Sequence, residues 1–238
     1  MAAAGKHYMS LAKTYRIETE RLVIRCYEPG DALMLQHAIN ASLEHLRPWM
    51  PWAREEPKGL ESKVALIRLF RGQFDLGQDY VFGIFLKGAS AVPPIGPSTV
   101  TAGVPAAAFM TGPSTATELI GSTGLHTRLG KDAREIGYWI NARHIGQGYA
   151  TEAVSALMKV GFEIEGLNRI EIHCAPANLR SQRVPEKLGY RLEATLKKEA
   201  AQEVMIWTMT RKDYEGAATA RVSEAKVRVF DIAGREII

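Results

Sequence analysis

The sequence predicts an α/β protein of the mixed α+β kind, with a single, mostly antiparallel central sheet of about seven strands and helices on both faces. Three observations predict this. Short segments with the two-residue alternation of strands recur along the chain, interleaved with segments of helical period. Their order is strand, two helices, three strands, helix, strand, helix, two strands, which fits neither an all-helical bundle nor a β-sandwich. The 238 residues are 46% hydrophobic and 24% charged, enough apolar material for one sizeable core.

In chain order, 21–27 (RLVIRCY) alternates as a strand, and Pro29-Gly30-Asp31 opens a helix running to about Ser42. A polar and aromatic loop centred on Trp49-Met50-Pro51-Trp52 follows. Residues 60–76 carry Val64, Ile67, Leu69 or Phe70, and Phe74 at helical spacing, and 79–86 reads as a strand. Residues 88–117 contain no charge, five prolines and four glycines, a composition that forbids a regular element. Strand-like sequence resumes at 118–126, so this stretch reads as an insertion at a hairpin tip, either a plain surface loop or a lid. A strand over 133–140 leads to an amphipathic helix over 148–166, closed by Gly166. A strand over 169–175, a helix over 178–188 and an antiparallel pair over 190–196 and 203–210 complete the domain. This organisation reads as one domain over 1–214, interrupted at 87–118, with a tail over 215–238 that holds a hairpin signal at Ala233-Gly234.

The net charge of +4 suits an anionic small ligand and is too small to argue for nucleic acid. Cys26 and Cys174 form no CxxC pair, which points to free thiols in a reducing cytoplasm and not to zinc or disulfides. The first 13 residues lack the apolar segment of a signal peptide, and no run approaches the roughly 18 apolar residues of a membrane span. The histidines at 126, 144 and 173 lack ligand spacing, so no metal is expected.

The chemistry concentrates in Arg143-His144-Ile145-Gly146-Gln147-Gly148-Tyr149-Ala150, between a strand and a helix. Two glycines let backbone approach a ligand closely, and the first helical N–H groups have no internal partner. With the helix dipole they form an anion site suited to a pyrophosphate. A dinucleotide fingerprint would need glycine where Thr151 stands, and a P-loop would need Gly-Lys-Ser/Thr; neither is present.

Arg-x-x-Gly-x-Gly at 143–148 resembles the coenzyme A signature of the GNAT acetyltransferase superfamily. Asn178-x-x-Ser181 followed by Glu186-Lys187-Leu188-Gly189-Tyr190 resembles its second motif. Glu18-Thr19-Glu20-Arg21-Leu22 and the 45–52 stretch (HLRPWMPW) resemble the RimJ/RimL branch, which contains ribosomal-protein N-terminal acetyltransferases. The resemblance spans about 15–214, the insertion aside.

The resemblance implies a sheet splayed between two parallel neighbours, here 133–140 and 169–175, with the acetyl group of acetyl-CoA in the V. Ile136, Tyr138 and Ile140 would pair with the pantetheine arm through their strand. Arg143, Ile145, Gly146, Gln147, Gly148, Tyr149, Ala150 and Thr151 would surround the phosphates, with Asn178, Ser181 and Lys187 completing the coenzyme site. The implied reaction is direct attack on the thioester, in a ternary complex, by a primary amine, either a protein N-terminus or a small molecule. An amine must lose a proton before it attacks, and the leaving thiolate must gain one. Glu135 is the candidate base, its alternative being an ion pair with Arg134 or Lys131. Ser181 is the candidate thiolate donor, its alternative being an ordinary helix cap. Pro185 breaks the pattern there, because proline inside a helix removes a hydrogen bond and so could displace Ser181. Trp49 and Trp52 would wall the acceptor side. A coenzyme A-binding module without turnover is the competing reading, and a homodimer is left open.

Overall fold

The computed structural model describes residues 14–88, 116–197, 203–216 and 226–238. Nearly all of the charge-free insertion therefore lies outside the described residues, as does the extreme N-terminus.

The strands are β1 (Arg16–Glu18), β2 (Leu22–Cys26), β3 (Tyr80–Lys87), β4 (Ala116–His126), β5 (Ala133–Ile140), β6 (Arg169–Cys174), β7 (Arg191–Lys197), β8 (Glu203–Thr210) and β9 (Arg228–Phe230). They form one sheet in the order β7-β8-β6-β5-β4-β3-β2-β1-β9, and only β5 and β6 pair in parallel. Nine strands replace the expected seven. β1 is too short for an alternation signal to emerge from its sequence. β9 lies in the segment read as a tail and pairs antiparallel with β1. β3 and β4 are antiparallel neighbours, so the insertion does fall at a hairpin tip.

The helices are α1 (Ala32–Asn40), α2 (Leu43–Leu46), α3 (Leu60–Asp75), α4 (Tyr149–Lys159), α5 (Leu179–Lys187) and α6 (Arg211–Glu215). The sheet separates two cores. Tyr80, Phe82 and Ile84 of β3 point toward α4 and join Ile136, Val154, Leu157 and Ile170. Val81 and Phe85 face the other way, toward Leu35 and Ile39 of α1 and Ile67 of α3. Period-two alternation on the strands and period 3.6 on the helices thus meet on both faces. The helix expected over 148–166 changes character at Val160–Ile164, where it becomes a π turn.

The parallel pair matters most for function. β5 and β6 are in register only at Ala133↔Arg169, Arg134↔Ile170 and Glu135↔Glu171. Beyond Glu135 the two strands no longer pair. This leaves a wedge open toward the end of β5 that feeds α4.

Candidate active site

The wedge leads directly to the glycine turn. Asn141 accepts a hydrogen bond from the Arg143 N–H at 3.1 Å, holding a short 3-10 turn over Ala142–His144. Gly146 and Gly148 then take φ of 76° and 84°, left-handed angles that side-chain-bearing residues avoid. A Cβ on Gly146 would meet nothing within 4 Å, so backbone angle and not crowding demands glycine there. Gly148 is the N-cap of α4, and no side chain caps the helix. Its first N–H groups, on Tyr149, Ala150 and Thr151, face outward at the positive end of the dipole. Arg143, Gly146, Gln147 and Gly148 are exposed around them, while Ile145, Tyr149 and Ala150 pack partly onto the core.

Arg21 braces this turn from behind. Its guanidinium lies 4.4 Å over the Tyr149 ring, donates to the Gln147 carbonyl at 2.9 Å, and pairs with Glu152 at 2.6 Å. Glu152 also accepts from the Thr19 hydroxyl at 2.5 Å. An acidic residue in the first turn would otherwise repel a bound anion, but here its charge is matched by Arg21. The 18–22 stretch marked a family branch in the sequence; its task, tying β2 to the phosphate turn, emerges only in the fold.

On the far side of the wedge lies a cavity of about 1330 Å³. Trp49 and Trp52 line it, and Trp52 packs against Trp139 at 6.1 Å between ring centres. Glu135, Tyr138, Cys174, Asn178 and Ser181 also reach it, whereas His45 is absent from its lining. Ile136 and Ile140 are buried in the core, which leaves only their backbone for a ligand. Lys187 is exposed at the opposite end of α5 from Asn178, about 13 Å along the helix axis, and does not join Ser181. Burial pushes the Cys174 thiol above its ordinary range, where it stays protonated and a poor nucleophile.

Pro185 does not delay the start of α5. The helix begins at Leu179, with Asn178 as its cap, accepting from the Ser181 N–H at 3.2 Å. The missing N–H of Pro185 would have bonded the Ser181 carbonyl. The Tyr138 hydroxyl donates to that carbonyl instead, at 2.9 Å, and lies 3.1 Å from Ser181 Oγ. Burial holds the Tyr138 phenol well above its usual range, so it remains a donor.

Glu135 pairs with neither Arg134 nor Lys131. Arg134 turns to the carbonyls of Gly130, Lys131 and Ala133. The Oε2 of Glu135 meets Arg128 at 3.6 Å and His173 Nδ1 at 3.4 Å. His173 Nε2 in turn meets Glu171 at 2.7 Å. A second histidine, His126, pairs with Asp79 at 2.8 Å on the same wall. No sequence signal joined His126 to Asp79, which lies 47 positions away. Among the described residues, no group of three or more metal-ligating side chains is assembled.

A family model described as an acetyltransferase (GNAT) domain matches residues 21–191. The chain belongs to the GNAT acetyltransferase family. Its similarity to the uncharacterized N-acetyltransferase YnaD of Bacillus subtilis is 39% identity, covering 34% of this chain and 47% of YnaD. For p20 of Bacillus licheniformis the match is 32% identical and spans 59% of that protein. This chain thus covers only about half the length of those two relatives. A longer match joins it to the putative ribosomal N-acetyltransferase YdaF of B. subtilis, 25% identical over 83% of this chain and 95% of YdaF. Among solved structures, a GNAT acetyltransferase from Bacillus anthracis aligns with a TM-score of 0.62 and 24% identity over 83% of this chain and 99% of that one. RimL, a ribosomal L7/L12 α-N-protein acetyltransferase solved with coenzyme A, aligns at 0.63 and 16% identity over 82% and 97%. These structural matches carry the GNAT fold: an open mixed sheet flanked by helices.

Proposed function

We propose that this GNAT protein transfers the acetyl group of acetyl-CoA to a primary amine by direct attack within a ternary complex. The observation that carries this reading is the uncapped start of α4, beside the open end of the β5–β6 pair. A diphosphate held at residues 146–151 lets the pantetheine arm run along β5 and delivers the thioester to the cavity. Glu135, at the apex of the wedge, supplies negative charge for an incoming ammonium. Ser181 Oγ is the proposed proton donor to the departing sulfur. Trp49 and Trp52 form the apolar wall of the acceptor site.

The names of YdaF and of the E. coli [ribosomal protein uS5]-alanine N-acetyltransferase, 25% identical over 80% of this chain, support peptide α-amines as the first acceptors to try. Two unpaired, buried cysteines suit a cytoplasmic location. Coenzyme binding without turnover, the competing reading, drew its weight from Pro185 and the long insertion; α5 starts intact despite Pro185, and nearly all of the insertion lies outside the described residues.

The test is calorimetric binding of acetyl-CoA, followed by thiol release with hexapeptides bearing a free N-terminal alanine or serine and with spermidine. Binding together with amine-dependent thiol release is the expected result. Binding without release on any acceptor would favour the silent module. Absence of binding would remove the assignment.

A further inference from the structure

We propose that His126, held by Asp79, is the base that takes the proton from the acceptor ammonium. The inference rests on the acetyltransferase function proposed above and moves the base role away from Glu135, where sequence reasoning put it.

Position comes first. His126 ends β4 opposite Glu135, so both side chains leave the same face of the sheet. The imidazole occupies the space that two glycines leave open. A Cβ on Gly124 would stand 2.9 Å from the ring, and a Cβ on Gly137 would stand 3.1 Å from Nε2. Gly137 lies just beyond the last paired residue of β5, within the open wedge. Nε2 therefore sits over the stretch of strand along which the thioester would be laid.

Orientation follows. His126 Nδ1 is 2.8 Å from Asp79 Oδ2, while Asp79 Oδ1 accepts from the Thr127 N–H at 3.1 Å. A carboxylate can only accept, so Nδ1 carries a proton, and in the neutral ring that accepts a proton the lone pair lies on Nε2. Among the described residues Nε2 has no hydrogen-bond partner. The other candidates on this wall are engaged. His173 has a carboxylate at each ring nitrogen, and Glu135 shares Oε2 between Arg128 and His173. The charged groups around His126 are thus Asp79, Arg128, Glu135 and the His173–Glu171 pair.

In the step itself, Nε2 removes one proton from the ammonium and the imidazolium is stabilised by Asp79. The neutral amine forms the C–N bond, and the carbonyl π pair moves onto oxygen. When that pair returns, the C–S bond breaks. The second amine proton ends on sulfur, and the imidazolium proton leaves to solvent.

The experiment compares full-length wild type, His126→Ala, His126→Gln and Glu135→Gln, using acetyl-CoA and the two hexapeptides, with and without free imidazole. His126→Ala should lose about 100- to 1000-fold in kcat, keep its acetyl-CoA affinity, and regain turnover with imidazole. His126→Gln, which keeps a hydrogen bond to Asp79, should be equally slow. Glu135→Gln should chiefly raise the KM for peptide. Near-normal kcat in either His126 variant, or a fall in His126→Ala that imidazole does not relieve, overturns the assignment while leaving the acetyltransferase reading intact. Wild type inactive on both peptides and on spermidine overturns both.

Discussion

At the residue scale, the phosphate turn depends on backbone angles more than on side chains. Gly148 sits at φ 84°, and an added Cβ would make only an ordinary 3.5 Å contact with Arg21. Gly148→Ala therefore tests conformation without crowding. Placing alanine in a left-handed angle costs about 1–2 kcal/mol, and the turn can relieve that strain only by shifting the N–H groups that face the ligand. The expected result is a loss of roughly 5- to 30-fold in acetyl-CoA affinity by calorimetry, with a modest fall in Tm. Unchanged affinity would mean that the turn does not contact the coenzyme. The same reasoning separates this turn from Gly137, where the want of a side chain serves space for His126 and not backbone angle.

At the scale of elements, α5 shows how a break in one helix is repaired from a neighbouring strand. Pro185 leaves the Ser181 carbonyl without its helical donor, and Tyr138 on β5 supplies one across the wedge. The repair also fixes the serine hydroxyl beside the same phenol. Tyr138→Phe should destabilise the protein by about 1–2 kcal/mol, the usual cost of leaving a partly buried carbonyl unpaired. In a Pro185→Ala background the new N–H can bond that carbonyl, so the loss on Tyr138→Phe should shrink to a few tenths of a kcal/mol. A double-mutant cycle by urea denaturation measures this coupling; simple additivity would refute the repair. Element-level logic also explains why Arg21 is needed. It links the first long strand, the turn and the start of α4 in one contact set, across 131 positions of chain.

Across the whole molecule, the C-terminal residues belong to the sheet. β9 closes the free edge of β1, and Val229 and Phe230 are buried against it, with the Arg16 guanidinium 4.1 Å over the Phe230 ring. Removing 226–238 would uncover these contacts and leave β1 as a bare, three-residue edge. Losing one buried valine and one phenylalanine costs about 1.5–3 kcal/mol each, so the truncated protein should melt several degrees lower and tend to aggregate. The site lies inside the sheet, at β5 and β6, five and six strands along from β9. Acetyl-CoA affinity of the folded fraction should accordingly stay close to that of the full chain, a result calorimetry at low temperature can check.

Much of the architecture was legible in the chain because local signals suffice where one face is buried. Seven strands, the long helices and the glycine turn announce themselves through alternation, helical period and the uncapped start of α4. β1 and β9 did not, since three residues cannot display a period and their pairing is won from partners more than 200 positions apart. The phosphate turn was readable for the same local reason: its function lies in consecutive backbone groups. Glu135, Ser181, Trp49 and Trp52 could be placed only by resemblance, and their partners were not visible. Whether Pro185 dislodged Ser181 depended on a phenol 43 residues away. Asp79 met His126, and Arg128 met Glu135, only once β3, β4 and β5 lay side by side. Sequence alone determined the periodic elements and the anion-binding turn, because these are written in neighbouring residues. The tertiary structure decided which titratable side chain keeps a free lone pair over the wedge, because that depends on contacts between strands that no local pattern encodes.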